Sequence, residues 1–212
     1  MGRPSVIVLD TGSGNIHSVL RAMDRAGAEA TLSADYSTAI AADGLVVPGV
    51  GAYATCMAGL RKVQGDRALG VRLAGSRPVL AVCVGMQVMF DVGEEHGVRT
   101  PGCGQWPGNV ERLQSPVVPH MGWNTVDAPA GSRMFANLVG ERFYFVHSYA
   151  ARSWQLITTP PLPAPLVSWT QYGQERFVSA VENGPLWATQ FHPEKSGDAG
   201  AQLLRNWVAG LC

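Results

Sequence analysis

A chain of 212 residues with 46% hydrophobic and 15% charged side chains can bury one sizeable core, which excludes a disordered segment. Its 16 Lys and Arg balance 16 Asp and Glu, so no net field draws it to nucleic acid, an anionic membrane or an acidic polymer; a small neutral substrate suits it. No apolar run reaches the roughly 18 residues that span a bilayer, and MGRPSVIVLD lacks the pattern of a secretory signal, so a cytoplasmic protein is expected. Cys56, Cys83, Cys103 and Cys212 show no C-x-x-C spacing, which argues against a zinc site or a disulfide framework, and no metal or cofactor is expected.

The first half reads as strand, turn and helix in repetition. SVIVLD is a β-rich run ending in TGSGN, and IHSVLRAMDRAG carries apolar residues at helical spacing up to a glycine stop at Gly27. ATLSA, GLVVPG and PVLAVC are three further strands, with GAYATCMAGLRKV and DRALGVRLAGS as helices between the last two. In the second half GNVERL, HMGWNTVD, RFYFVHSYA, LVSWTQY, FVSAVENG and LWATQFH are closely spaced strand candidates, and SGDAGAQLLRNWVAGL is a closing amphipathic helix. TTPPLPAPL is a surface loop, since strand signals continue on both sides of it. The pattern predicts one α/β domain over residues 1–212, with a mostly parallel central sheet flanked by helices and additional antiparallel strands in the second half.

PVLAVC followed by VGMQVMF is a strand that turns abruptly into a helix at Cys83, and in open α/β sheets ligands bind beyond the carboxyl ends of strands. Unpaired backbone N–H groups at the helix start favour a thiolate there. Ala81 and Gly85 are the small flanking residues of a nucleophile elbow, and the Val84 N–H would face an oxyanion formed by attack on a carbonyl. By itself such a thiol is more often an inert core cysteine. QFHPEKS, at the end of another apolar strand, supplies the base that a nucleophile requires in His192 and an orienting group in Glu194. PGVG after a third strand lets a backbone approach a ligand closely at Gly49, Val50 and Gly51. GSGNIH has His17 where a dinucleotide fingerprint needs its third glycine, so nucleotide binding is not expected there.

PGVG, AVCVGMQ, FVHSYA and QFHPEKS together resemble the class I (triad) glutamine amidotransferases, over nearly the whole chain. PHMGWN with GSGN and FYFVHSY is most similar to the glutaminase subunits of imidazole glycerol phosphate synthase within that family. The resemblance implies a flavodoxin-like fold and a Cys83, His192, Glu194 triad that releases ammonia from the glutamine side chain. It also implies an oxyanion hole of the Val84 and Val50 N–H groups, with glutamine held by Gly49, Gly51, Gln87, Ser148 and Tyr149. It implies a heterodimer with a cyclase subunit, a (β/α)₈ barrel that receives the ammonia and makes imidazole glycerol phosphate and the aminoimidazole carboxamide ribonucleotide. Asn15, Met121, Trp123, Tyr144 and Lys195 fall at positions near that contact, and reorientation of the Gly49–Val50 peptide is the implied switch.

Two residues depart from the family pattern: Ala81 stands where glycine is usual in the elbow, and Thr11 where tyrosine is usual. The alanine fits if its backbone dihedrals are negative. Glutaminases serving pyridoxal phosphate synthase or the aminodeoxychorismate system, and a silent regulatory subunit of the same fold, are the alternatives. His96, His120 and His147 are assigned to packing or hydrogen bonding, as are Cys56, Cys103 and Cys212.

Overall fold

A computed structural model describes residues 2–12, 16–159 and 163–211. In chain order β1 (Ser5–Leu9) leads to α1 (Ile16–Arg25) and β2 (Glu29–Ser33) to α2 (Tyr36–Ala41). β3 (Gly44–Gly49) leads to α3 (Tyr53–Lys62) and α4 (Gly65–Ala74), and β4 (Val79–Cys83) runs straight into the single turn α5 (Val84–Gln87). Nine strands follow: β5 (Phe90–Glu95), β6 (Val98–Pro101), β7 (Trp106–Arg112), β8 (His120–Thr125), β9 (Arg142–His147), β10 (Tyr149–Ala151), β11 (Leu166–Tyr172), β12 (Glu175–Asn183) and β13 (Leu186–Thr189). A 3₁₀ turn, Pro193–Lys195, and α6 (Gly197–Val208) complete the described chain.

The central sheet has the order β11-β12-β13-β4-β3-β1-β2. Its β13, β4, β3, β1 and β2 strands are parallel, and β11 and β12 extend it antiparallel. β3, β4 and β13 are buried along their whole length because helices cover both faces, which explains why they read as continuous apolar runs rather than as alternations. At Gly44, a Cβ would stand 2.7 Å from the Trp207 ring, so α6 packs directly on the start of β3. The mostly parallel α/β architecture with antiparallel additions is the one expected.

Two smaller sheets complete the second half, β10-β7-β5-β6 and β8-β9. The helix expected to continue from Cys83 to Phe90 stops after Gln87, because the chain from Phe90 is drawn into a strand paired with β7 and β6. β5, β6 and α2 were not anticipated. α2 is only six residues long and starts at a capping aspartate, Asp35, whose carboxylate accepts the Thr38 N–H at 2.7 Å. Below it, the fully buried Arg72 guanidinium donates to the carbonyls of Ala39, Ala42, Asp43 and Pro78. Burial pulls its pKa down to about 10, which leaves it charged at neutral pH as a clip between α2, β3 and β4. Among the described residues, no helix is long and apolar enough to cross a membrane.

Candidate active site

Strand register delivers the motifs to one level. Gly49 at the end of β3 pairs with Cys83 at the end of β4, and Thr189 at the end of β13 pairs with Val82. The segments after three adjacent parallel strands therefore emerge together, at the carboxyl edge where such sheets bind ligands. A cavity of about 420 Å³ opens there, lined by Val50, Gly51, Cys83, Val84, Gln87, Glu95, Pro119, Val146, His147, Ser148, Tyr149, His192 and Lys195.

Cys83 has φ 57° and ψ −115°, a conformation that costs an L-residue on the order of 1–3 kcal/mol and persists only where the surroundings enforce it. What enforces it is a pair of glycines. A Cβ on Gly49 would lie 2.1 Å from the Gly85 nitrogen, and one on Gly85 would lie 2.1 Å from the Val47 carbonyl oxygen. Backbone thus packs on backbone, and the strand has to turn sharply into α5, which puts Val84 at its first position. Ala81, one of the two departures, is not among the residues with positive φ, so its methyl fits within β4.

His192 is buried and its Nδ1 is 2.7 Å from Oε1 of Glu194. Since a carboxylate only accepts, Nδ1 carries the proton and Nε2 is the nitrogen left for the thiol. Burial penalises the imidazolium, but its contacts with Cys83 and Glu194 outweigh that and push His192 up to about 10. The turn is braced from β9: the His192 N–H donates to the Tyr144 carbonyl at 2.9 Å, and the Ser196 hydroxyl accepts from the Tyr144 N–H and donates to the His192 carbonyl.

His147 lies in the same cavity, and the geometry excludes it as the base. The Tyr149 carbonyl accepts from His147 Nδ1 at 2.9 Å and from Gln87 Nε2 at 2.7 Å. With its proton on Nδ1, His147 uses Nε2 to accept from His120 Nδ1 at 3.2 Å. Desolvation depresses His147 to about 3 and His120 to about 4, so both are neutral near pH 7. They serve in hydrogen bonding and packing, as expected. Burial also pushes the Cys56 and Cys103 thiols up to about 12, which makes neither a nucleophile near neutrality.

The other expected site residues separate into groups. Val50, Gly51, Gln87, Ser148 and Tyr149 line the cavity, whereas Gly49 does not: it is buried behind the wall, where its lack of a side chain admits Gly85. The Ser148 and Tyr149 carbonyls are already engaged by the Leu113 N–H and by Gln87 and His147, so a ligand is left with other groups at this end. Sequence reasoning missed Glu95, whose Oε2 accepts the Tyr53 N–H at 2.7 Å while the carboxylate faces the cavity. One of two adjacent glutamates in DVGEEHG gives no sequence signal; only the pairing of β5 brings Glu95 to the site. Lys195 lines the cavity and is exposed. Met121 and Trp123 are exposed on β8, and Tyr144 is half-buried beside them on β9. Asn15 lies outside the described residues.

The profile of the glutamine amidotransferase class-I family matches residues 7–211. The chain belongs to the class-I glutamine amidotransferases. It is 65% identical over 211 residues to the imidazole glycerol phosphate synthase subunit HisH of Thermobifida fusca, covering 99% of this chain and 100% of that one. Against the subunit of the same name from Nocardia farcinica, identity is 63% over 212 residues with both chains covered completely. A crystal structure of a glutamine amidotransferase shares the fold at a TM-score of 0.72 and 19% identity, over 97% of this chain and 98% of that one. Cys83, His192 and Glu194 are the residues of this amidotransferase whose types and arrangement fit amide hydrolysis through a thioester.

Proposed function

We infer that the chain hydrolyses the side-chain amide of glutamine and passes the ammonia to a cyclase partner, which makes imidazole glycerol phosphate and the aminoimidazole carboxamide ribonucleotide in histidine biosynthesis. The observation that carries the reading is the joining of a strained Cys83 to the His192–Glu194 pair in one cavity, in a chain whose relatives of 59–65% identity are named as subunits of imidazole glycerol phosphate synthase.

The Cys83 sulfur attacks the carboxamide carbon, and the oxyanion is held by the Val84 N–H and by the Val50 N–H of the PGVG turn. His192 then gives its proton to the leaving nitrogen, the C–N bond breaks, and ammonia departs from a γ-glutamyl thioester. His192, now neutral, takes a proton from water; the hydroxide adds to the thioester, the C–S bond breaks, and glutamate leaves with the sulfur restored. Glu194 holds the ring in the tautomer both steps need. At the amino-acid end, Glu95 faces the substrate ammonium, Gln87 offers its remaining amide oxygen, and Ser148 offers its hydroxyl. A cytoplasmic heterodimer with the (β/α)₈ cyclase subunit follows, docked over Met121, Trp123, Tyr144 and Lys195, with Asn15 assigned to the contact by the family resemblance alone.

The test is glutamate release from glutamine by the purified chain, alone and with the cyclase subunit and its nucleotide ligand. Strong stimulation that is lost in Cys83→Ala, with ammonia-dependent synthesis by the complex retained, is the expected result. A folded chain that the competent cyclase does not stimulate would transfer the chemistry to another ammonia acceptor.

A further inference from the structure

Gln190 stands immediately before the FHPE segment and is 1% exposed, yet neither hydrolysis step above uses it. Its backbone N–H is fixed by the Ser179 carbonyl of β12 at 2.9 Å, which aims its side chain between Gln87 and Cys83. Its amide oxygen accepts from Gln87 Nε2 at 3.0 Å, and its Nε2 lies 3.8 Å from the Cys83 sulfur.

The direction of these bonds is set by chemistry. The Tyr149 carbonyl can only accept, so the Gln87 group 2.7 Å from it has to be the NH₂. That same NH₂ faces Gln190, which must therefore turn its carbonyl toward Gln87 and its own NH₂ toward the sulfur. One backbone carbonyl thus determines the polarity of a chain of amides that ends on the nucleophile. Flipping either amide would set two donors or two acceptors against each other in a buried place, which costs about 1–3 kcal/mol per unsatisfied group.

We propose that Gln190 is a positioning residue for the nucleophile: held by the Tyr149 carbonyl through Gln87, it presents a fixed N–H donor to the Cys83 sulfur and favours its charged form. A thiolate gains from such a donor because hydrogen bonds to charged groups are stronger than those to neutral ones. The arrangement also ties the nucleophile to β10 at Tyr149, so a displacement of that strand reaches the sulfur through two amides. The inference rests on Cys83 being the nucleophile of the proposed reaction, but its test does not require turnover.

The experiment is the pH profile of Cys83 alkylation by iodoacetamide, read on the Cys83 peptide by mass spectrometry, in the full-length chain and in its complex with the cyclase. The ionisable groups around the sulfur are His192, Glu194 and Lys195 from the turn after β13, Glu95 from β5, His147 from β9, Tyr149 from β10 and Cys56 from α3. All remain in Gln190→Met, which keeps the length of the side chain and removes the donor. The expected result is a profile midpoint shifted up by about one pH unit, a roughly tenfold slower alkylation near neutrality and an unchanged plateau at high pH. An unmoved midpoint in a folded Gln190→Met chain overturns the proposal, whatever happens to its activity. If that variant does not fold, Gln190→Leu removes the same donor, and the midpoint again has to rise; no shift there overturns it too. Wild-type chain that alkylates normally at Cys83 but releases no glutamate with the cyclase would refute the broader functional reading and leave this inference standing.

Discussion

His192 and His147 sit in one cavity and are driven in opposite directions, one toward the imidazolium by Glu194 and Cys83, the other toward the neutral ring by burial. Their effects on stability are opposite as well. A histidine raised to about 10 from its ordinary value near 6.5 contributes stability that is complete below pH 6.5 and is lost as pH climbs toward 10. Histidines lowered to about 3 and about 4 contribute stability that is complete above pH 6.5 and is lost as pH falls through that range. The melting temperature is accordingly expected to fall on both sides of neutrality. Glu194→Gln should flatten the alkaline limb alone, and His147→Asn, whose amide can still reach the Tyr149 carbonyl, the acid limb alone; differential scanning fluorimetry from pH 4 to 10 reads both. A common flattening in both variants would contradict the assignment. The Glu194→Gln change should also cost about 10²–10⁴ in glutamate release, because the ring loses the partner that fixes its tautomer, while binding of glutamine changes little.

At the level of elements, the site depends on how closely β3 approaches α5. Gly85→Ala would drive a methyl into the Val47 carbonyl at 2.1 Å, and no flexible side chain is there to give way. The elbow would have to relax, and Cys83 would leave the strained conformation that presents its sulfur. The expectation is loss of glutamate release by more than about 100-fold, with a fall of several degrees in melting temperature; a Gly85→Ala chain with wild-type activity would show that the strain at Cys83 is dispensable. The elbow was legible beforehand because an apolar strand, a cysteine and small flanking residues follow one another in sequence. So were β3, β4 and β13, whose complete burial leaves continuous apolar runs, and the His192–Glu194 pair, because the two residues lie within one turn. Glu95 and Gln190 were not, since strand pairings over long sequence separations bring Glu95 to the cavity and Gln190 to the Cys83 sulfur behind it. β5 went unread for a related reason: VMF continues the apolar run of the elbow, and only pairing with β7 distinguishes strand from helix there. Gly49 was read as a ligand contact, whereas its glycine identity answers to Gly85 behind the wall.

For the molecule as a whole, the β8–β9 ribbon joins an outer face to the turn that carries His192. Along β8 His120 points inward, stacked on Tyr172 at 4.0 Å between ring centres, while Met121 and Trp123 point out, 62% and 46% exposed. Trp123 packs edge-on against Tyr144, and the Tyr144 carbonyl holds the His192 N–H. An exposed tryptophan beside an exposed methionine is costly for a chain that stays alone, and aromatic anchors of this kind carry much of the affinity of protein interfaces. Trp123→Ala is therefore expected to weaken the complex with the cyclase by roughly 10- to 100-fold, measured by titration of the two purified subunits. The free chain should keep its melting temperature within about 2 °C, since nearly half of the ring is already in water. Val71, 49% exposed on α4, supplies the comparison: Val71→Ser should leave the affinity unchanged. Equal affinities for wild type and Trp123→Ala would move the interface to another face. Weakened binding with the glutaminase still fully stimulated at saturating cyclase would mean that Trp123 holds the partner but passes nothing on. A lower stimulated rate even at saturation is the outcome that the Trp123–Tyr144–His192 path requires, because losing the ring loosens the strand that fixes the base.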